Sequence, residues 1–127
     1  MNIKLNVLNR AIKEAKSSTV CRGKVGAVLF TRNGNILAST HNSCFYGHSE
    51  KGKFTIHAEE MLMYKFAKIK GAGRFKKDGK LNVLVVRYVP QTDTLGVAKP
   101  CNKCTYLLGK VNVNVFYTDY DGCVKKL

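Results

Sequence analysis

The sequence feature that most constrains the fold is an almost uninterrupted apolar run over residues 81–89, Leu-Asn-Val-Leu-Val-Val-Arg-Tyr-Val. Its length and its valine content are typical of a β-strand. Because apolar and polar residues do not alternate along it, the run predicts a central strand that is covered on both faces. We therefore expect a sheet with helices packed against it.

The first half of the chain supplies a helix and a hairpin. A first amphipathic helix is predicted from apolar residues that recur at helical spacing, namely Leu5, Leu8, Ile12 and Ala15. Residues 25–30 form a short apolar run, Asn33-Gly34 is typical of a hairpin turn, and residues 35–40 would form the returning strand. Residues 41–55 show no clear periodicity, and we interpret them as a loop.

The second half alternates helices with strands. A helix is predicted to begin at His57 and to end at Gly71-Ala72-Gly73, with Ala58, Met61 or Leu62, Phe66 and Ile69 on one face. After the apolar run, a loop over 91–99, a short helix over 101–110, a strand over 112–118, a turn at Asp121-Gly122 and a last strand over 123–127 are predicted. The fold class is thus α/β, with a single mixed sheet of about five strands and helices on its faces. We expect one domain over residues 1–127.

Length and hydropathy exclude several classes of protein. The 127 residues leave little room for a second domain. No apolar run comes near the ~20 residues needed to cross a bilayer, and the first residues lack the apolar segment of a secretory signal. We therefore expect a cytoplasmic protein without a membrane partner. In such a protein the five cysteines are better interpreted as thiols or metal ligands than as disulfides.

The net charge favours an anionic partner. The formal charge is +14, from 22 basic and 8 acidic residues, which favours a nucleic acid, a nucleotide or an anionic surface. Part of this charge lies in a basic stretch with one aromatic residue inside it: Lys65, Lys68, Lys70, Arg74, Phe75, Lys76, Lys77 and Lys80. That stretch could follow a phosphate backbone, although a solvated helix end and loop is an equally good interpretation.

Two short motifs carry the chemistry, His57-Ala58-Glu59 and Pro100-Cys101-Asn102-Lys103-Cys104. Histidine and cysteine are the ligands that Zn²⁺ prefers, and three protein ligands with one open position define a catalytic zinc site. Two cysteines three positions apart at a helix start lie on one side of the helix, where the helix dipole favours thiolates. With His57 at the start of another helix, one imidazole and two thiolates could surround a single metal ion.

Glu59 stands two positions after His57 and so points away from the ligand direction. A carboxylate there could take a proton from an activated water and pass it to a leaving amine. Other interpretations of the same residues remain. A lone Cys-x-x-Cys is also typical of redox or structural zinc sites, and Cys44 or His48 could supply a fourth ligand to a structural zinc.

The two motifs together resemble those of the cytidine deaminase-like superfamily, whose members carry His-x-Glu followed by Pro-Cys-x-x-Cys. The resemblance covers most of the chain, from Val25-Gly26-Ala27-Val28 to Asp121-Gly122. It implies that His57, Cys101 and Cys104 bind Zn²⁺ and that Glu59 is the catalytic proton shuttle. It also implies substrate contacts from Asn42, from the backbone N–H of Ala58 and from Pro100. Phe45 and Tyr46 could stack on a base, although loop aromatics more often pack down.

The expected activity is that of a hydrolase acting on the C–N bond of a cyclic amidine, which converts cytosine to uracil and releases ammonia. The charge favours cytosine in single-stranded nucleic acid as the substrate. Alternatives are free cytidine, deoxycytidine or deoxycytidylate, adenosine in RNA, and a zinc module that binds nucleic acid without catalysis. Many relatives oligomerise, so a homo-oligomer is a further implication of the resemblance.

Two departures from common members concern the substrate rim and the C-terminal part. Residues 91–99 intervene between the apolar strand and Pro100, so the rim of the site should be reshaped. Too few residues follow the strand over 112–118 for a parallel crossover, and an antiparallel hairpin is therefore predicted there. His41, Cys44 and His48 form a loose cluster that could bind a second metal, but we expect them to line the loop without one.

Overall fold

The computed structural model describes residues 3–20, 23–46, 53–68, 81–110, 113–119 and 122–127, with the backbone alone for 44–46 and 53–55. Its helices are α1 (Leu5–Lys16), α2 (Ala58–Lys68) and α3 (Asn102–Gly109). Its strands are β1 (Lys24–Thr31), β2 (Ile36–His41), β3 (Ser43–Tyr46), β4 (Lys53–Ile56), β5 (Leu81–Val89), β6 (Thr94–Gly96), β7 (Asn114–Thr118) and β8 (Val124–Lys126).

One mixed sheet organises the described residues and confirms the predicted α/β class. Its strand order is β2-β1-β5-β7-β8, and β6 also pairs with β5. β5 is antiparallel to β1 and parallel to β7. The carboxyl ends of β5 and β7 therefore meet the amino end of β1 at one end of the sheet.

The apolar strand β5 is central, as its sequence predicts. Residues 81–86 are all buried, and successive side chains point to opposite faces. On one face Val83 and Val85 belong to a core cluster with Leu62 of α2 and Leu108 of α3. On the other face Leu84 and Val86 belong to a second cluster, which includes residues of α1.

Helix α1 forms where predicted, but the predicted apolar face is partly wrong. Val7, Ala11 and Ala15 are fully buried, whereas Leu5 is 70% exposed. The reason is a close approach between α1 and Gly26 of β1, since a Cβ at Gly26 would lie 2.3 Å from the Ala11 carbonyl oxygen. A contact this close selects small side chains for the centre of the helix face, while larger apolar residues such as Leu8 lie at its margin.

The interpretation of residues 41–55 as a loop is wrong. Strands β3 and β4 pair there as a two-stranded antiparallel ribbon, with Ser43 opposite Ile56 and Tyr46 opposite Lys53. Its residues are rich in aromatic and β-branched types, which favour strands even without strict alternation. The two strands of the ribbon satisfy each other's backbone hydrogen-bonding groups. The ribbon can therefore form without a regular alternation of apolar and polar residues in the sequence.

The remaining connections follow the predictions with one addition. The predicted loop over 91–99 contains β6, which turns back to pair with Arg87–Val89. The predicted terminal hairpin is confirmed, with β8 antiparallel to β7 and Gly122 at a positive φ of 78° in its turn. The predicted helix stop at 71–73 and the basic loop at 74–80 lie outside the described residues. None of the helices in the described ranges has the length and hydropathy needed to cross a bilayer.

Replacing Gly26 by alanine should destabilise the protein, because the new methyl group would collide with the backbone of α1 at Ala11 and Ala15. We expect a loss of about 1–3 kcal/mol in the free energy of unfolding, measured by urea denaturation. Gly109 is the matched control, since nothing lies within 4 Å of a Cβ at that position. Gly109→Ala should leave stability unchanged or raise it slightly, and an equal loss in both variants would contradict this packing.

Candidate active site and metal centre

One histidine and two cysteines converge at the end of the sheet where β5 and β7 finish. The ligand atoms of His57, Cys101 and Cys104 all lie within 4.8 Å of one another. His57 Nδ1 is 3.4 Å from Cys104 Sγ and 3.7 Å from Cys101 Sγ. A tetrahedral zinc ion holds nitrogen and sulfur ligands about 3.6 Å apart. The observed separations therefore match the edges of a zinc coordination tetrahedron.

The starts of two helices position these side chains. Cys101 is the N-cap residue of α3, and His57 immediately precedes α2, where its carbonyl accepts a hydrogen bond from Met61 N at 3.1 Å. An ion pair of 3.2 Å between Lys103 of α3 and Glu60 of α2 joins the two helix starts. Both helices thus direct their positive N-terminal ends at the ligand cluster, which favours negatively charged sulfur.

The electrostatics of the cluster fit a divalent cation. Burial raises the pKa of the Cys104 thiol, and the neighbouring Glu59 carboxylate raises this pKa further. Glu59 is itself only 5% exposed. A thiolate and a carboxylate this close repel each other in a buried setting, whereas a bound zinc ion would stabilise both. The donor set and its charges therefore suit Zn²⁺ with Glu59 beside it.

A cleft of about 340 Å³ opens onto this cluster, which is within the usual size range of small-molecule sites. Six residues predicted from the sequence line it: Asn42, His57, Ala58, Glu59, Pro100 and Cys101. The buried side chain of Thr40 donates a hydrogen bond of 2.7 Å to the Ala58 carbonyl, which fixes the start of α2 at the cleft wall. The side chains of Phe45 and Tyr46 lie outside the described residues, so their stacking role stays a prediction.

The sequence interpretation did not assign six residues of the cleft wall to the site: Gly23, Val25, Arg87, Val97, Ala98 and Lys99. Two of them could have been found from strand alternation. Val83 and Val85 face α2 and α3, so Arg87, two positions further along β5, faces the same side beyond the helix starts. The same argument places Gly23 on the cleft side, because Val25 of β1 lies on that face and also lines the cleft.

The residues between β5 and Pro100 are anchored to the end of β7. Ala98 N donates to the Thr118 carbonyl at 2.8 Å, and Thr118 Oγ1 donates to the Gly96 carbonyl at 2.8 Å. Thr118 is fully buried. These two bonds hold Lys99 and Pro100 at the rim of the cleft, and the predicted reshaping of that rim relative to family members stays a prediction.

The cluster of His41, Cys44 and His48 is only partly described. His41 Nδ1 lies 2.8 Å from a carboxylate oxygen of Glu14, while the Cys44 side chain and His48 lie outside the described residues. Within the part of the chain that the structure covers, the group formed by His57, Cys101 and Cys104 is the metal-ligand cluster found. A fourth ligand from Cys44 or His48 therefore stays an open alternative.

Comparison with known proteins agrees with this geometry. The family model described as the zinc-binding region of cytidine and deoxycytidylate deaminases matches residues 1–118. No curated protein matches the sequence.

Solved structures of the same fold include a cytidine deaminase from Burkholderia pseudomallei, with a TM-score of 0.65 and 18% identity over 96% of this chain and 89% of that one. They also include a dCMP deaminase from the cyanophage S-TIM5 in complex with dCMP and dUMP, with a TM-score of 0.64 and 23% identity over 94% and 85% of the two chains.

Zinc binding should depend on the three converging residues. We expect purified protein to carry about one zinc ion per chain, and His57→Ala or Cys104→Ser to reduce this to a small fraction. Metal content is measured by inductively coupled plasma mass spectrometry. Cys123→Ser is the control, because Cys123 is not part of the cluster. Full zinc content in both ligand variants would contradict the assignment.

Proposed function

The chain belongs to the cytidine and deoxycytidylate deaminase family, and from this premise we propose that it hydrolyses the cytosine base of a nucleotide to uracil. The reaction adds one water at C4 of the base and breaks the bond from C4 to the exocyclic nitrogen. The water supplies the new carbonyl oxygen, and the amine leaves as ammonia. The observation that carries the proposal is the convergence of His57, Cys101 and Cys104 beside the buried Glu59 in an open cleft.

Each part of the site has a distinct task in this proposal. His57, Cys101 and Cys104 would hold Zn²⁺, which supplies an activated water when bound. Glu59 accepts a proton from that water and delivers it to the departing amine. The backbone N–H groups at the start of α2 have no partner within the helix, so the N–H of Ala58 can donate a hydrogen bond to the base carbonyl. Pro100 and Asn42 both line the same cleft.

Replacing Glu59 by glutamine should abolish turnover while zinc stays bound, because an amide cannot carry the proton. We expect kcat to fall by about 10²- to 10⁴-fold, followed as uracil formed from deoxycytidylate by mass spectrometry. Glu60→Gln is the matched control. It changes the neighbouring carboxylate, which pairs with the exposed Lys103 and is not part of the metal-ligand cluster, and should cost less than about fivefold.

Retention of near-normal kcat by Glu59→Gln would exclude the proposed proton transfer. Absence of turnover in the parent protein as well, with zinc bound, would favour the alternative of a zinc module that binds nucleic acid without catalysis. Loss of zinc from the same variant would mean that Glu59 supports the metal site and not the reaction.

Two cations at the rim favour a phosphate-bearing substrate. Arg87 and Lys99 both line the cleft, and within the described ranges neither forms an ion pair with a carboxylate. The Arg87 side chain extends across Gly96 towards Gly23, since a Cβ at Gly23 would lie 3.8 Å from Arg87 Nε. An unpaired guanidinium beside a polar cleft is suited to a phosphate group. A free cytosine nucleotide meets this requirement, and so does cytosine within a nucleic acid.

A polynucleotide is the second candidate substrate, and the net charge of +14 favours it. A shallow basic cleft formed by Arg10, Lys65 and Lys68 lies beside β2, apart from the metal cluster. We prefer the free nucleotide because the described residues that line the reaction cleft include two cations, Arg87 and Lys99. Two neighbouring cations suit a single phosphate group better than an extended phosphate backbone.

Arg87→Gln should separate substrates with and without phosphate. We expect kcat/KM for deoxycytidylate to fall about 10- to 100-fold, while kcat/KM for deoxycytidine changes less than twofold. Arg32→Gln is the control, because Arg32 follows β1 at the opposite end of the sheet. Equal losses on both substrates would contradict a phosphate contact.

A single-stranded oligonucleotide in the same panel decides between the two candidates. If the oligonucleotide is turned over preferentially, and its affinity falls steeply as the salt concentration is raised, the polynucleotide and not the free nucleotide is the substrate.

A further inference from the structure

Ser18, which follows α1, is bound to a residue of the cleft wall. It is only 4% exposed. Its Oγ lies 2.8 Å from the backbone carbonyl oxygen of Asn42 and 2.6 Å from Asn42 Oδ1. The same Oγ accepts a hydrogen bond of 3.1 Å from Val20 N. The hydroxyl hydrogen of Ser18 is therefore directed at Asn42.

The surrounding backbone fixes which way the Asn42 side-chain amide points. Val25 N can only donate and lies 2.9 Å from Oδ1, whereas the Gly23 carbonyl can only accept and lies 2.8 Å from Nδ2. Turning the amide over would place two donors together at Val25 and two acceptors together at Gly23. Such unsatisfied groups are costly in a part-buried site.

The hydrogen-bonding capacity of Asn42 then leaves one group for a ligand. A carboxamide accepts two hydrogen bonds at its oxygen and donates two from its nitrogen. Val25 N and the Ser18 hydroxyl occupy both acceptor positions of Oδ1, with the single Ser18 hydrogen shared with the Asn42 backbone carbonyl, and the Gly23 carbonyl uses one donor. Since Asn42 lines the cleft together with His57 and Ala58, the second N–H of Nδ2 is the group that the described residues leave available there.

We infer that Ser18 is a positioning residue, which sets the Asn42 amide to offer the cleft a single N–H donor and no acceptor. The matching ligand atom is consequently an acceptor oxygen, of a sugar hydroxyl or of the base. This inference rests on the proposed function for the identity of the ligand, but the orientation of the amide stands on the geometry alone. Without the Ser18 hydroxyl, Oδ1 loses one of its two donors and the amide loses part of its restraint.

The role differs from that of an ordinary helix-terminating serine. The adjacent Ser17 performs that local task, because its Oγ donates to the Lys13 carbonyl one turn back at 3.0 Å. Ser18 instead spans 24 positions to Asn42, and its own carbonyl accepts a hydrogen bond of 2.6 Å from Lys24 Nζ. α1 is thereby connected to the amino end of β1 and the residue after β2.

Ser18→Ala should weaken nucleotide binding without slowing the reaction of bound substrate. We expect KM for deoxycytidylate to rise about 5- to 20-fold, with kcat within about twofold of the parent. Ser39→Ala is the matched control, because Ser39 is buried and its hydroxyl bonds to Glu14 and Arg10 instead of to Asn42. It should show a comparable loss of thermal stability with an unchanged KM. If both serine variants raise KM equally, the effect is general destabilisation and the inference is wrong.

A double-mutant cycle with Asn42→Ala tests whether Ser18 acts through Asn42. In the Asn42→Ala background, Ser18→Ala should raise KM by less than twofold further. An additive rise would overturn the inference. Ser18→Cys keeps a weak donor on a slightly larger side chain and is expected to fall between the parent and Ser18→Ala, which keeps the test open if the alanine variant folds poorly.

The amide orientation has a readout that needs no activity. In the parent protein, the Asn42 side-chain amide should give two separate NMR signals, one of them protected from hydrogen exchange by the bond to Gly23. Ser18→Ala should accelerate that exchange, and an unaltered rate would overturn the inference. If the parent protein deaminates no cytosine compound, the proposed function fails, and this NMR comparison still decides the role of Ser18.

Discussion

The structure depends on a central buried strand whose neighbours direct two helix starts to one end of the sheet. Because β5 is antiparallel to β1 and parallel to β7, α2 must run away from the site before β5 returns to it. The chain then leaves β5 and enters α3 at the same end. His57 and Cys101 are consequently close together although 44 positions separate them. A ligand site at the carboxyl ends of strands is the general expectation for such α/β sheets.

Burial at this end has an electrostatic consequence that a metal resolves. Glu59 and Cys104 are both buried, and burial together with the Glu59 carboxylate raises the pKa of Cys104. Without a cation, burial and the neighbouring carboxylate disfavour the thiolate form of Cys104. The two helix N-termini contribute partial positive charge, and a divalent ion contributes far more. The fold thus favours a cation next to Glu59, the residue proposed to transfer the proton.

Much of this arrangement could be predicted from the sequence, because the deciding signals are local. The apolar run at 81–89, the Asn33-Gly34 turn and the two motifs each specify an element or a chemical group within a few residues. The predicted apolar face of α1 was partly wrong because it depends on a distant residue, Gly26, whose missing side chain lets Ala11 approach the sheet. The ribbon of β3 and β4 was missed because neither segment shows a regular alternation of apolar and polar residues, and their pairing cannot be recognised from either segment alone.

The cleft wall shows the same division between local and tertiary information. Asn42, Ala58 and Pro100 were expected from the resemblance, whereas Arg87 and Lys99 were not, because neither belongs to a motif. The position of Arg87 follows from the face of β5 on which it lies, and the position of Lys99 follows from the anchor at Thr118. Arg87 continues the face of Val83 and Val85 past the point where helices cover it, so the strand that builds the core also delivers a charge to the cleft. A one-residue shift in the register of β5 would turn Arg87 to the opposite face of the sheet and remove its charge from the cleft, so the charge of the cleft depends on the register of the central strand.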